Sequence, residues 1–180
     1  MRSVLRFAKQ EATERTRIDL RTCLTHAVDL ARPYCREHDV ALEVRIGSRP
    51  LEVLANATEM EQLVQNLMRN AAEACSPGGK IRVETDRAGG EVVVTVSDDG
   101  RGMSASELER AFDPFYTTRS REGGSGLGLS ICHGIVRAHD GRIEIESVPG
   151  YGTRVRIRLP GSDRDAGRTT GAEHGSPAAG

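Results

Sequence analysis

The sequence predicts an α/β (α+β) fold: a two-layer sandwich whose mixed, mostly antiparallel sheet carries three main helices on one face. Apolar residues recur at helical spacing in three separated segments, and alternating aliphatic runs fall between and after them. A long glycine-rich stretch over residues 98–126 interrupts both patterns.

Asp19 is placed to cap a first helix, with Leu20, Cys23, Leu24, Ala27, Ala31 and Tyr34 at helical spacing. Pro33 is expected to kink or shorten its final turn. Residues 40–46 alternate Val40, Leu42, Val44 and Ile46 with polar neighbours, the pattern of a half-buried strand. The second helix is the best marked. Thr58 and Glu61 predict a capping box, and Met60, Leu63, Val64, Leu67, Met68, Ala71 and Ala72 fill one face. Pro77-Gly78-Gly79 stops it.

Two strands are predicted around Gly89-Gly90, over residues 80–85 and 91–96. The loop over 98–126 holds one short helical patch near 104–110; loops of this length in compact domains are uncommon unless they serve as functional lids. A third main helix begins near Leu127, with Leu129, Cys132, Ile135, Val136 and His139 on one side. In the last pair of strands Ile143 and Ile145 face Val155, Ile157 and Leu159. Glu144 and Glu146 share the other face with Arg154, Arg156 and Arg158. Cross-strand pairing accounts for that arginine run better than a nucleic-acid stripe does.

The 180 residues suit one domain, 37% of them hydrophobic, and a net charge of −1 gives no reason to expect nucleic acid or an anionic membrane as partner. No apolar run approaches the ~20 residues that span a bilayer, and no signal peptide is visible. Cys23, Cys35, Cys75 and Cys132 lack metal spacing and read as small thiols in a reducing cytoplasm. Residues 161–180 lack the aliphatic side chains needed to offset ordering and are expected to be a disordered tail.

Four patterns carry chemistry. Asn66 and Asn70 lie four apart on the second helix and so share a face; an amide oxygen is a neutral hard donor suited to magnesium. Polar residues are expected on an amphipathic helix, so two asparagines at this spacing alone mean little. Asp98 leaves a buried strand and is followed by Gly100 and Gly102, which would let a flat ligand approach bare backbone. A carboxylate there can accept from the exocyclic amine of adenine, whereas guanine presents a carbonyl at that edge. An ordinary Asp-Gly turn is the competing account. Gly123-Gly124-Ser125-Gly126-Leu127-Gly128-Leu129 opens a helix, where free amides and the helix dipole can meet phosphate oxygens. It neither follows a strand nor ends in Gly-Lys-Ser/Thr, so Rossmann and P-loop readings fail. Gly150-Tyr151-Gly152-Thr153 turns the final hairpin.

Asn66-Leu67-Met68-Arg69-Asn70-Ala71, Asp98-x-Gly100-x-Gly102, Phe112-Asp113-Pro114-Phe115-Tyr116-Thr117-Thr118, Gly124-x-Gly126-Leu127-Gly128-Leu129 and Gly150-x-Gly152-Thr153 stand in a familiar order. Over about residues 18–160 the chain resembles the ATP-binding catalytic domain of sensor histidine kinases. That domain belongs to the superfamily shared with DNA gyrase, heat-shock chaperones and mismatch-repair proteins. The resemblance implies ATP and Mg2+ held between the asparagine helix and a long lid.

On this resemblance Asn70 coordinates magnesium and Asn66 assists at the phosphates, taking the catalytic position. Asp98 binds the adenine amine, with Gly100 and Gly102 beside it and Thr153 supporting the site through Asp98 and water. Gly124, Gly126, Leu127, Gly128 and Leu129 wrap the triphosphate, Arg119 contacts phosphate, and Phe112 and Phe115 anchor the lid. Hydrolytic members place a glutamate where this chain has Asn66, and an amide cannot act as a base, which favours phosphoryl transfer over hydrolysis.

The family's phosphoacceptor histidine sits on a dimerising helix with an acidic neighbour. His26, in the first helix, lacks such neighbours; His133 and His139 belong to the third helix, where packing or capping suffices, and His174 is in the tail. Residues 1–17 are expected to be the end of such a helix and its linker, residues 18–160 the catalytic domain. The implied partners are a dimerisation and phosphoacceptor domain and, downstream, a response regulator receiver domain; isolated, the domain is expected to be a cytoplasmic monomer. A stand-alone anti-sigma-like serine kinase or ATP-dependent partner-binding module is the alternative, and a true ATPase a third reading.

Overall fold

The computed structural model describes residues 14–118 and 125–162. In chain order the elements are β1 (Thr16–Asp19), α1 (Leu20–Glu37), β2 (Ala41–Arg45), β3 (Glu52–Ala55), α2 (Ala57–Ala74), β4 (Lys80–Ala88), β5 (Glu91–Asp98), α3 (Ala105–Glu109), α4 (Gly128–Ala138), β6 (Arg142–Val148) and β7 (Gly152–Pro160). The main sheet has the order β2-β4-β5-β7-β6. Only the β2–β4 pair is parallel; β4–β5, β5–β7 and β6–β7 are antiparallel. β1 and β3 form a separate two-stranded ribbon.

The valine run of β5 explains its central place. Val92, Val94 and Val96 are buried with Ile81, Val83, Val155, Ile157 and Leu159 under Leu63, Leu67, Met68, Cys132 and Val136 of the helical layer. The opposite face is charged. Glu144 pairs in register with Arg156 and Glu146 with Arg154, and their side chains form ion pairs of 3.7 and 3.5 Å. The arginine run is thus a solvated cross-strand ladder, as its spacing predicts.

Asp19 caps α1 as expected, and the Arg21 guanidinium beside it holds its carboxyl down at about 2. Pro33 does not end the helix, which continues to Glu37. Proline removes one backbone bond, but burial of Cys35 and packing of Tyr34 against the core hold the turn beyond it. The cap of α2 also differs from expectation: Asn56, not Thr58, is the N-cap, its side chain accepting from Glu59 N–H at 3.0 Å. Cys23, Cys35 and Cys132 are buried free thiols and Cys75 is partly exposed. No helix of the described residues is long and apolar enough to cross a membrane.

His139 ties the ends of two helices together. Its Nδ1 donates to the Ile135 carbonyl at 2.8 Å, and its Nε2 accepts from Asn56 N–H at 3.0 Å. The end of α4 therefore meets the start of α2, which fixes how the opposite ends of these helices meet at the site.

Candidate functional site

α2, β5 and the start of α4 converge on one cavity of about 380 Å³. Helix α2 contributes Leu67, Arg69, Asn70, Glu73 and Ala74; β5 and the loop after it contribute Asp98, Arg101, Gly102 and Met103. Gly126, Gly128 and Leu129 line it from the α4 side, and Thr153 and Val155 from β7. Glu107, Ala111, Tyr116, Thr117 and Thr118 line it from the segment between.

Asp98 is held by its backbone neighbours. Its Oδ1 accepts from Gly100 N–H at 3.0 Å and from Thr153 N–H at 3.2 Å. Its Oδ2 accepts no hydrogen bond from any described residue. Burial pushes the carboxyl up to about 6, against the lowering effect of those two backbone donors. At neutral pH it is therefore still charged, in a poorly solvated place that favours a ligand donor. Gly100 does not line the cavity; its N–H steadies the carboxylate, and Arg101 N–H bonds the Ala74 carbonyl at 3.0 Å to fasten the loop to α2.

Gly102 has φ +65°, and a Cβ there would run into the Val148 carbonyl. What requires glycine is thus the β6–β7 hairpin pressing on the loop. Ser147 sits at that junction: its Oγ accepts from Met103 N–H at 2.9 Å, donates to the Gly152 carbonyl at 3.0 Å and lies 3.0 Å from Thr153 Oγ1. Thr153 reaches Asp98 through its backbone N–H, while its hydroxyl is 3.0 Å from Ser147. At Gly128 a Cβ would lie 3.1 Å from both amide atoms of Asn70, so the bare start of α4 rests on the asparagine side chain.

Several expected residues do not reach the cavity. Asn66 is not among its lining residues; its Nδ2 is buried with no hydrogen-bond partner among the described residues, and its side chain lies beside Cys132. Four residues before Asn70 is about 6 Å back along the axis, and the cavity opens toward the other end of α2, at Glu73 and Ala74. Leu127 is the N-cap of α4 and does not line the cavity. Phe112 packs on α4, its ring centroid 5.0 Å from that of His133. Phe115 is no side-chain anchor: it is 75% exposed and linked to the glycine segment by its N–H to the Gly126 carbonyl at 3.0 Å. Arg119 and Gly124 lie outside the described residues.

Arg69, Arg101 and Glu107 line the cavity and Ser147 braces the loop behind it, and sequence reasoning named none of them as site residues. Arg101 joins the lid at two points, its Nη1 to Glu107 at 3.0 Å and its Nη2 to Thr118 Oγ1 at 2.5 Å. Arg69 and Arg101 lie inside the asparagine and aspartate motifs, so their place in those motifs was the available signal.

A mixed sheet under three helices, with helix asparagine, strand-end aspartate and glycine-opened helix around one cavity, defines a nucleotide-binding ATPase fold. The chain belongs to the histidine kinase-, DNA gyrase B- and HSP90-like ATPase family, whose profile matches residues 55–163. It is 32% identical over 162 residues to the alginate biosynthesis sensor protein KinB of Pseudomonas aeruginosa, covering 87% of this chain and 27% of that protein. It is 35% identical over 164 residues to the C4-dicarboxylate transport sensor protein DctS of Rhodobacter capsulatus, covering 89% and 25%. The chain spans about a quarter of the length of these relatives. Among solved structures, the nucleotide-free catalytic domain of the histidine kinase ThkA superposes with a TM-score of 0.73 at 30% identity, covering 82% of this chain and 95% of that one.

Proposed function

We propose that this domain binds Mg-ATP and transfers its γ-phosphoryl group to a histidine on a separate dimerising helix. It would thus act as the catalytic part of a two-component sensor kinase, with a response regulator as the downstream acceptor. The observation that carries the reading is the convergence of Asn70, Asp98, Gly126 and Gly128 on one cavity. Asp98 takes the adenine amine with Oδ2 while its Oδ1 stays bonded to the backbone. The amides at the start of α4 meet phosphate oxygens, where the helix dipole favours negative charge.

The donor set fits magnesium: the Asn70 amide oxygen is a neutral hard ligand on the cavity wall, beside the glycine that opens α4. Bound there, the metal would draw charge from the phosphate oxygens. In the transfer the bond from the γ-phosphorus to the bridging oxygen breaks, a phosphorus–nitrogen bond forms, and ADP leaves with the electron pair. None of the described cavity-lining residues is a histidine, and the acceptor in this reading is supplied by the dimerising helix. Position 66 carries an amide and not a carboxylate, which leaves no base where hydrolytic relatives have one.

Incubation of the chain with Mg-ATP and a dimerisation-domain fragment added in trans is expected to give acid-labile phosphohistidine. Steady phosphate release without a partner would instead support the ATPase reading. Asn70→Ala is expected to remove the magnesium dependence of ATP binding, a loss of about tenfold or more measured by titration with and without the metal. Unchanged titrations would remove Asn70 from the metal site.

A further inference from the structure

We propose that Arg69 is a phosphate-contacting residue of this site, its guanidinium holding the terminal phosphate of the bound nucleotide. The inference rests on the nucleotide reading above and adds a residue to it.

Arg69 precedes Asn70 on α2 and lines the same cavity. It is exposed, and it makes no ion pair or hydrogen bond with any described residue. An unpaired surface arginine is ordinarily just solvated; the position of this one separates it from the rest. Its charge acts on the Cys132 thiol in the second turn of α4, so the guanidinium lies on the side of α2 that looks toward that helix. The start of the same helix, Gly128, rests on Asn70. The base end of the cavity is elsewhere: Ala74, whose carbonyl binds Arg101 N–H beside Asp98, is five residues further along α2, about 7.5 Å. Arg69 is therefore at the phosphate end.

Charge balance calls for a cation there. The cavity wall carries the carboxylates of Glu73, Asp98 and Glu107. Its cations among the described residues are Arg69 and Arg101, and Arg101 is committed to Glu107 at 3.0 Å and to Thr118 at 2.5 Å. Among the described residues, a triphosphate entering this wall meets one arginine not already held by a carboxylate. The planar guanidinium fork matches phosphate oxygens in pairs, which a lysine ammonium does not.

Calorimetric titration of Mg-ATP, Mg-ADP and adenosine into the native chain, Arg69→Met and Arg69→Lys tests this. Arg69→Met is expected to weaken ATP about tenfold or more, ADP by less, and adenosine not at all; Arg69→Lys recovers part of the loss. Two results overturn the assignment: ATP affinity unchanged in Arg69→Met, or adenosine weakened by the same factor as ATP, which would mark a packing role. A native chain that binds neither adenosine nor ATP would overturn the nucleotide reading itself, and this proposal with it.

Discussion

Replacing Asp98 by Asn is expected to lower ATP affinity about a hundredfold while leaving the domain folded. Both backbone bonds to this side chain end on Oδ1, from Gly100 N–H at 3.0 Å and Thr153 N–H at 3.2 Å. An asparagine keeps that oxygen and both bonds, so the loop stays in place. The amide nitrogen then takes the position of Oδ2, and a donor faces the adenine amine where an anionic acceptor stood. Discrimination against GTP, whose base offers a carbonyl at that edge, is expected to fall as well.

The same substitution should stabilise the ligand-free domain. The folded carboxyl sits at about 6, above its ordinary 3.8. The native state therefore holds the proton more tightly than the unfolded chain, and this group's contribution to stability falls as pH rises from about 4 to 6. Above pH 6 the cost is fully present, and asparagine removes it, a gain on the order of 1 kcal/mol after allowance for solvent screening. Binding has the opposite sign. A ligand that needs the carboxylate must expel a proton below pH 6, so native ATP affinity should decline as pH falls through that value. The Asp98→Asn variant should lack that decline. Equal pH profiles for the two proteins would show that Asp98 does not meet the base.

Gly102→Ala is expected to cost about 3 kcal/mol of stability, roughly 10 °C in melting temperature, and to weaken ATP binding with it. The backbone there has φ +65°, and an added Cβ would collide with the Val148 carbonyl. The loop cannot move aside. Arg101 O accepts from Gly150 N–H at 2.8 Å on one side, and Met103 N–H donates to Ser147 Oγ at 2.9 Å on the other. Any shift would displace the hairpin that presents Thr153 to Asp98. Gly150→Ala is the control: its φ is +80°, but a Cβ there meets nothing within 4 Å, so only the backbone cost of about 1 kcal/mol remains. Equal losses at the two positions would mean that the contact with Val148 contributes nothing.

The parts of this molecule with strong local periodicity were legible in the sequence. α2, the β4–β5 pair around Gly89-Gly90 and the β6–β7 register follow from apolar spacing and turn glycines, and the structure reproduces them. Strands β1 and β3 were not foreseen, because each has four residues and its partner lies far away in the chain. Their pairing also decides the cap of α2. Thr16 pairs with Ala55, so the chain leaves the ribbon at Asn56, which reaches the helix before Thr58 can cap it. Of the expected residues that line the cavity, Asp98 ends β5 and Gly128 begins α4. Asn70 lies a full turn before the end of α2 and was readable only from its spacing and motif. Asn66 shares the helical face of Asn70 but does not line the cavity, because a shared face says nothing of how far along the axis a cavity extends. That limit is set by the loop fastened to the Ala74 carbonyl, a contact between distant segments. Ser147 escaped notice for the same reason: nothing near it in sequence reveals its bond to Met103.

The most direct test is a structure of this chain with magnesium and a non-hydrolysable ATP analogue. The adenine amine should lie within hydrogen-bonding distance of Asp98, with the metal on Asn70 and the phosphates over Gly126 and Gly128. An analogue bound outside the cavity between α2 and α4, or inside it with its base away from Asp98, would contradict the account.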